Sequence, residues 1–419
     1  MKLKFEVYDI EYETPEVPKE KEIEGYGLPK KDQKFVRWRA PKDFDNLHET
    51  EQVNIVKYAL DKRKNGHFYY NNGEINYITG LHWFYLTFWK IDTGYPEYRR
   101  SDRNYFFYWD YCVNDPYCIG MINMENRRGG KTSRATCMLY EYISRNPSAH
   151  GGIQSKTDRD AKGVFSKMVY SWKRLPYWLK PMDEGDSQPK TALRFSEPSK
   201  RSSKEQKKQY QVALDSFIDF EASNEEAYDG QRLDRYVGDE EGKTVNVNVF
   251  DRGMIVRECS VRGNKVIGKQ LVTTTVEEMD KKGGKNFKLK WDASDRKDRD
   301  KNGFTKTGLY RYFKPAYDCL EGFIDEYGNP MIDEAKTYLM NRRANLSGAL
   351  LSSEKRKYPF DEEECFGVIT GAFWEEDVLD ILKQSYLESI ENEEVEYVKV
   401  VSYGGELLVN PVKKDDDVI

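Results

Sequence analysis

No Cys-x-x-Cys pair occurs in this chain, and only four histidines are spread over its 419 residues. The six cysteines, at 112, 118, 137, 259, 319 and 365, stand singly. A zinc site is therefore not expected, and the scatter fits reduced thiols in a cytosol. Long apolar runs are missing too. No stretch approaches the roughly 18 apolar residues that a membrane-spanning helix needs. The amino terminus, MKLKFEVYDIEYETPEVPKEKE, carries acidic residues and no apolar run, which argues against a signal peptide. A soluble, intracellular protein is expected. A basic excess is also absent: Lys+Arg 67 against Asp+Glu 72 gives a net charge of −5. Proteins that coat nucleic acid usually carry such an excess. A ring-shaped translocase needs positive charge only along its channel, so DNA binding stays open.

What is present is a globular composition with a heavily charged surface, 38% hydrophobic and 33% charged, long enough for one large or two modest domains. Aromatics reach 14%, with 30 Tyr; core and rim packing is one reading of these, stacking on nucleic acid bases the other. Residues 1–45 are charged and interrupted by prolines, and read as an extended arm or adaptor. From Glu49 to Arg63, Val53, Val56 and Leu60 fall at helical spacing. HFYYNNGEINYITG predicts a hairpin turning at Asn71-Asn72-Gly73, and LHWFYLTFWKI (81–91) is apolar but of ambiguous type. CIGMINM (118–124) reads as a buried parallel strand feeding a loop. SRATCMLYEYISRN reads as a helix with Ala135, Met138, Leu139, Tyr142 and Ile143 on one face. GGIQSKTD suits the next strand of a β-α-β unit. Two charge-dense stretches, 198–210 and 292–303, read as solvated loops or, for the more basic first one, as a DNA-facing loop. No internal repeat is evident.

The chemistry centres on ENRRGGKTS (125–133), between predicted strand and predicted helix. A phosphate loop needs small residues whose N–H groups can close around oxygens, here Gly129 and Gly130. It also needs a lysine for the β/γ-phosphates and a hydroxyl for Mg²⁺, here Lys131 and Thr132, with Ser133 following. The strict G-x-x-x-x-G-K-[ST] pattern fails at its first position, which is Glu125; a basic turn capping a helix is the other reading. GQRLDRYVGDEEGK (230–243) ends a strand-like run in adjacent acids. Asp239 fits a Mg²⁺ ligand acting through water, and Glu240 a group that polarises the attacking water. Glu241 allows a second register. QLVTTTVEEM (270–279) places Thr273, Thr274 and Thr275 at a strand end, where they could face the γ-phosphate or be ordinary strand residues.

These motifs, in this order, resemble the large terminase subunit of tailed bacteriophages, especially its crAss-like branch. Carrying the resemblance are Arg127-Arg128-Gly129-Gly130-Lys131-Thr132 as a deviant phosphate loop, Gly242-Lys243 after the acid pair, and Thr273-Thr274-Thr275 as a coupling motif. GIQSKTDRDAKGVFSKMV, TGLYRYFKPAYDCLEGFIDEYGNP and KYPFDEEECF add to it, so it covers roughly residues 80–375. The resemblance implies an α/β fold, a P-loop NTPase of the additional-strand type with a mainly parallel sheet flanked by helices. It implies an amino-terminal arm and adaptor or lid region (1–100), an ATPase motor domain (101–375), and a linker (376–419) toward a nuclease domain this chain does not contain. Such a domain would have been removed or would lie on another chain. It further implies ATP and Mg²⁺ as cofactors and Arg127 or Arg128 at the γ-phosphate, with Glu240 catalytic. The implied partners are double-stranded DNA, the portal protein and the small terminase subunit. A homo-oligomeric ring, a pentamer, would form when assembled and a monomer in isolation, in the host cytoplasm and transiently docked at the capsid portal vertex, without a membrane. Other P-loop DNA-dependent ATPases or helicases, or a non-catalytic DNA-binding capsid-vertex protein, are the alternatives.

Overall fold

A computed structural model of the protein describes residues 1–197, 212–275, 283–367, 385–386, 398–403 and 406–411. The basic stretch 198–210, residues 276–279 of the threonine run and Asp415-Asp416-Asp417 lie outside the described residues.

The stretch 1–45, read as an extended arm or adaptor, opens with paired strands. β1 (Lys2–Val7) and β2 (Ile10–Glu16) make an antiparallel hairpin. Every second residue of β2 is buried, so only Ile10, Tyr12 and Thr14 carry the inward face and the apolar signal is thin. α1 (Glu49–Asn65) begins at a capping box of His48 with Glu51. Its inward face runs through Ile55, Ala59 and Arg63, while the expected Leu60 is exposed. β3 (His67–Asn71) and β4 (Glu74–Ile78) form the expected hairpin. Asn72 (φ 50°) and Gly73 (φ 90°) supply the positive φ values of a two-residue turn. The ambiguous apolar run is a helix, α2 (Gly80–Phe88), started by the Thr79 hydroxyl accepting from the His82 N–H at 3.2 Å. It is buried nearly all round, which erases the helical period from its sequence. α3 (Arg100–Asn114) receives the hairpin: Tyr12 stacks on Phe107 at 4.1 Å and donates to Asp110 at 2.9 Å. Tyr69, Tyr105, Tyr108 and Tyr140 are fully buried, so much of the tyrosine excess is core.

The centre is a seven-stranded sheet. The chain builds it through β5 (Gly120–Glu125), α4 (Lys131–Ile143), β6 (His150–Gln154), α5 (Asp158–Lys173), β7 (Ala192–Phe195), β8 (Ser216–Phe220) and β9 (Arg235–Asp239). α6 (Val249–Cys259), the small β10 (Val261–Arg262) and β11 (Lys265–Val266) hairpin, β12 (Lys269–Thr274), α7 (Gly284–Asp292) and β13 (Leu309–Lys314) follow. The strand order is β13-β5-β12-β9-β6-β8-β7, parallel throughout except for β7, which is antiparallel at one edge. β5 and β6 are therefore not neighbours, because β12 and β9 are inserted between them. Both faces are covered. Met121 and Leu271 point into the large core beneath α2 to α5, whereas Ile122 and Val272 pack with Val249, Phe287 and Trp291 on the other side. After the sheet come α8 (Ile332–Ala344), α9 (Gly348–Lys357) and α10 (Glu362–Cys365), then a hairpin of β14 (Val398–Tyr403) and β15 (Glu406–Pro411).

All six cysteines are buried and unbridged. Among the described residues, no helix is long and apolar enough to cross a membrane.

Candidate functional site

Strand register decides where the motifs meet. In the sheet Thr273 pairs with both Asp239 and Asn123, and Thr274 with Met124. Parallel strands in this register bring the ends of β5, β9 and β12 to one carboxyl edge, so the loop, the acid pair and the threonine run emerge side by side.

The loop 126–130 joins β5 to α4. Gly130 lies at φ 84° as the residue before Lys131, a left-handed conformation that a Cβ would strain. Gly129 is needed for a different reason: an added Cβ would sit 2.7 Å from Glu125 Oε1. Arg128 holds φ 63° without being glycine, a strained conformation that persists where the surroundings over-determine it.

Glu125, standing where a glycine is usual, is fully buried beneath the loop. Arg134 of α4 donates to both its oxygens at 2.6 and 2.5 Å, and also to Asp102 at 2.7 Å and to the Gly129 carbonyl at 2.6 Å. Lys314 of β13 donates to Asp102 at 2.9 Å. Burial would push the Asp102 carboxyl up, but Lys314 and Arg134 outweigh it and hold that carboxyl well below the usual range. The bond to the Gly129 carbonyl ties the loop to this network. Sequence reasoning did not find the cluster; its signal was charged residues, Glu125 and Arg134, inside otherwise apolar elements. Arg134→Met should leave Glu125 and Asp102 short of a buried partner and cost about 3–5 kcal/mol. A denaturant melt reads this as a lowered midpoint.

At the end of β9 the backbone of Glu240 turns left-handed, φ 55° and ψ 38°. A continuing strand would send successive side chains to opposite faces. Here Asp239 and Glu240 both line one cleft, while Glu241 turns inward and is completely buried. Glu241 Oε2 accepts from Lys290 at 2.7 Å, and Oε1 lies 3.2 Å from Arg252. Of the three adjacent acids, Asp239 and Glu240 are the ones that reach the cleft. Glu241→Ala should destabilise the chain by about 3–5 kcal/mol by stranding two buried cations, a loss that thermal unfolding would register.

The site residues converge closely. Thr132 Oγ1 lies 3.2 and 3.3 Å from the Asp239 carboxylate oxygens, and Lys131 Nζ lies 2.9 Å from Glu240 Oε1. Each threonine of the run engages this assembly. Thr273 donates to Asp239 at 3.0 Å, Thr274 accepts from the Gly242 N–H at 3.0 Å, and Thr275 donates to Glu240 Oε2 at 3.2 Å. Lys243 Nζ is 2.8 Å from the same Oε2. Ser155, after β6, donates to the Asp239 carbonyl at 3.1 Å, a contact no motif announced. Burial, helped by the charge of Glu240, raises the Asp239 carboxyl above its ordinary value. Burial would raise Glu240 as well, but Lys131 and Lys243 hold it down at about 2.

The cleft encloses ≈ 900 Å³ and its lining carries nine Lys or Arg against four Asp or Glu, a wall suited to a polyanion. Arg127, Arg128, Lys131, Thr132, Asp239 and Glu240 all line it; Gly129, Gly130, Ser133 and the three threonines are not part of the lining. Lys156, Arg159 and Lys167 form one wall, and Arg342, Glu354, Lys357 and Tyr358 another. None of residues 1–100 is part of the lining. Most aromatics of 80–110, a candidate stretch for contacts to a nucleotide base, are core residues, Tyr95 being exposed and Tyr98 partly buried, and Arg99 pairs with Glu321 at 2.6 Å.

No protein-family model matches the chain, and no curated protein matches it. Solved structures with a similar arrangement include the large terminase ATPase domain of Thermus phage P74-26, at 14% identity over 64% of this chain and 94% of that one, with a TM-score of 0.41. The large terminase of bacteriophage HK97 is 14% identical over 67% of this chain and 54% of that one, TM-score 0.43. The large terminase of the thermophilic bacteriophage D6E, in complex with ATP-gamma-S, is 11% identical over 61% and 51%, TM-score 0.36. The chain thus spans about half the length of the latter two. The placement of site residues rests on this chain's own geometry.

Proposed function

We propose that this chain is an ATP hydrolase, the motor of a viral terminase that drives double-stranded DNA through a portal into a procapsid. The observation that carries the hydrolase reading is the convergence of Lys131, Thr132, Asp239 and Glu240 at one sheet edge, inside a cation-lined cleft. The terminase reading is supported by the order of the motifs and by the Arg127-Arg128 pair before the glycines, which resemble those of large terminase subunits, the crAss-like branch especially.

The triphosphate lies along residues 127–132, where the loop and the first turn of α4 offer N–H groups to anionic oxygens. Lys131 takes the β/γ-phosphates, and Arg127 and Arg128 reach the γ-phosphate from the cleft wall. Thr132 and Asp239 present hard oxygen donors side by side, a set that would hold Mg²⁺. When bound, the ion would neutralise charge on the β- and γ-phosphates. Glu240 orients and polarises water, whose oxygen bonds to the γ-phosphorus as the bond to the bridging oxygen breaks, giving ADP and phosphate. The water's proton passes by way of the Glu240 carboxylate to the phosphate product. Thr273, Thr274 and Thr275 link this event to the sheet edge. A homo-oligomeric ring, with portal protein and small terminase subunit as partners, supplies a further arginine from a neighbouring chain.

The test is phosphate release across a protein concentration series, with and without duplex DNA. The expected result is Mg²⁺-dependent ATPase activity whose rate per chain rises with concentration and with duplex. Unwinding of duplex by the protein would point to a helicase instead, and absence of ATP binding to a non-catalytic role.

A further inference from the structure

Among the described residues, three groups hold Glu240, and they are arranged unequally. Lys131 alone among the described residues contacts Oε1, at 2.9 Å. Lys243, at 2.8 Å, and the Thr275 hydroxyl, at 3.2 Å, share Oε2. The side chain is only 19% exposed, so water does little to solvate the carboxylate if a partner leaves. Yet one partner has to leave: on the reading proposed above, the ammonium of Lys131 is also the group that takes the triphosphate.

We propose that Lys243 is the positioning residue of the acid pair, anchoring Glu240 Oε2 together with Thr275 while Lys131 transfers from Oε1 to the triphosphate. Nucleotide binding then unmasks Oε1 as the acceptor for the attacking water and leaves Oε2 where it was. The backbone favours this division. Lys243 sits three residues after Glu240, at the end of the 3₁₀ turn 241–243, and that turn is fixed by Glu241 beneath it and by the Gly242 N–H bond to Thr274. Both lysines border the cleft, but Lys131 opens α4 directly after the glycine pair of the loop. Without Lys243, release of Lys131 would leave a largely buried carboxylate with one hydroxyl donor. Glu240 would then retain Lys131 and compete with the nucleotide for it. Lys243 thus lowers the cost of freeing Lys131, and does so through Glu240 rather than by touching phosphate.

This rests on the ATP reading, and a binding experiment separates the two. The affinity of the full chain for Mg²⁺ with a non-hydrolysable ATP analogue is measured for the unaltered protein, Lys243→Met, Lys243→Arg, Glu240→Gln and the Lys243→Met/Glu240→Gln double variant. Lys243→Met should weaken binding on the order of 10-fold, since a buried charge loses a partner. Lys243→Arg should stay within about 3-fold, because it restores the cation. In the Glu240→Gln background, where no carboxylate competes for Lys131, Lys243→Met should have nearly no effect. An equal loss in both backgrounds would mean that Lys243 contacts the nucleotide directly, and no loss in either would remove its role; both outcomes overturn the proposal. Failure of the unaltered chain to bind the analogue would overturn the ATP reading itself, and this inference with it.

Discussion

Glu240→Gln is expected to lower the turnover number by roughly 10²–10⁴-fold, the range for a side chain that takes part in proton handling at the reacting atom. Binding of Mg·ATP should be at least as tight as in the unaltered chain. The amide keeps the shape of the side chain and an oxygen for the contacts of Lys243 and Thr275. It removes the charge that grips Lys131, so the lysine is freer for phosphate. The fold should be unaffected, because Glu240 borders the cleft while its neighbour Glu241 carries the structural ion pairs. The two acids therefore fail differently: one substitution silences chemistry in a folded protein, the other weakens the fold. Steady-state phosphate release beside a nucleotide titration checks this, and near-normal turnover in Glu240→Gln would remove the residue from the mechanism.

Lys131→Ala should damage binding as well as turnover. Loss of a charge-assisted contact to the triphosphate costs about 2–5 kcal/mol, which is roughly 30-fold or more in affinity. Stability should barely change, since Glu240 keeps Lys243 and Thr275, and the helix start is set by Gly130 rather than by the lysine. A titration with a fluorescent ATP analogue, paired with a thermal melt, reads both quantities. Normal binding by Lys131→Ala would place the triphosphate elsewhere.

How much of this was legible beforehand follows from where the determinants lie. The strand, loop and helix around Lys131 were readable because a short apolar run, a glycine pair and a 3.6-residue period follow one another without interruption. The acid pair and the threonine run were readable as strand ends, but their proximity to the loop was not written in any local stretch. It comes from inserting β12 and β9 between β5 and β6, a matter of sheet order. The choice between Glu240 and Glu241 needed the left-handed turn at Glu240, which no residue type advertises. Glu125 illustrates the opposite case. As a motif position it looked like a defect, and only the fold shows Arg134, Asp102 and Lys314 closing around it. The amino-terminal hairpin was missed because half its residues face solvent and are Lys or Glu. The all-apolar α2 was ambiguous because helices buried on every side carry no periodic signal.

The most direct measurement is a structure of the full chain with Mg²⁺ and a non-hydrolysable ATP analogue. The account predicts the triphosphate along residues 127–132, Lys131 Nζ moved from Glu240 to a phosphate oxygen, and the metal between Thr132 and Asp239. Nucleotide bound in another cleft, or bound here with Lys131 still paired to Glu240, would contradict it.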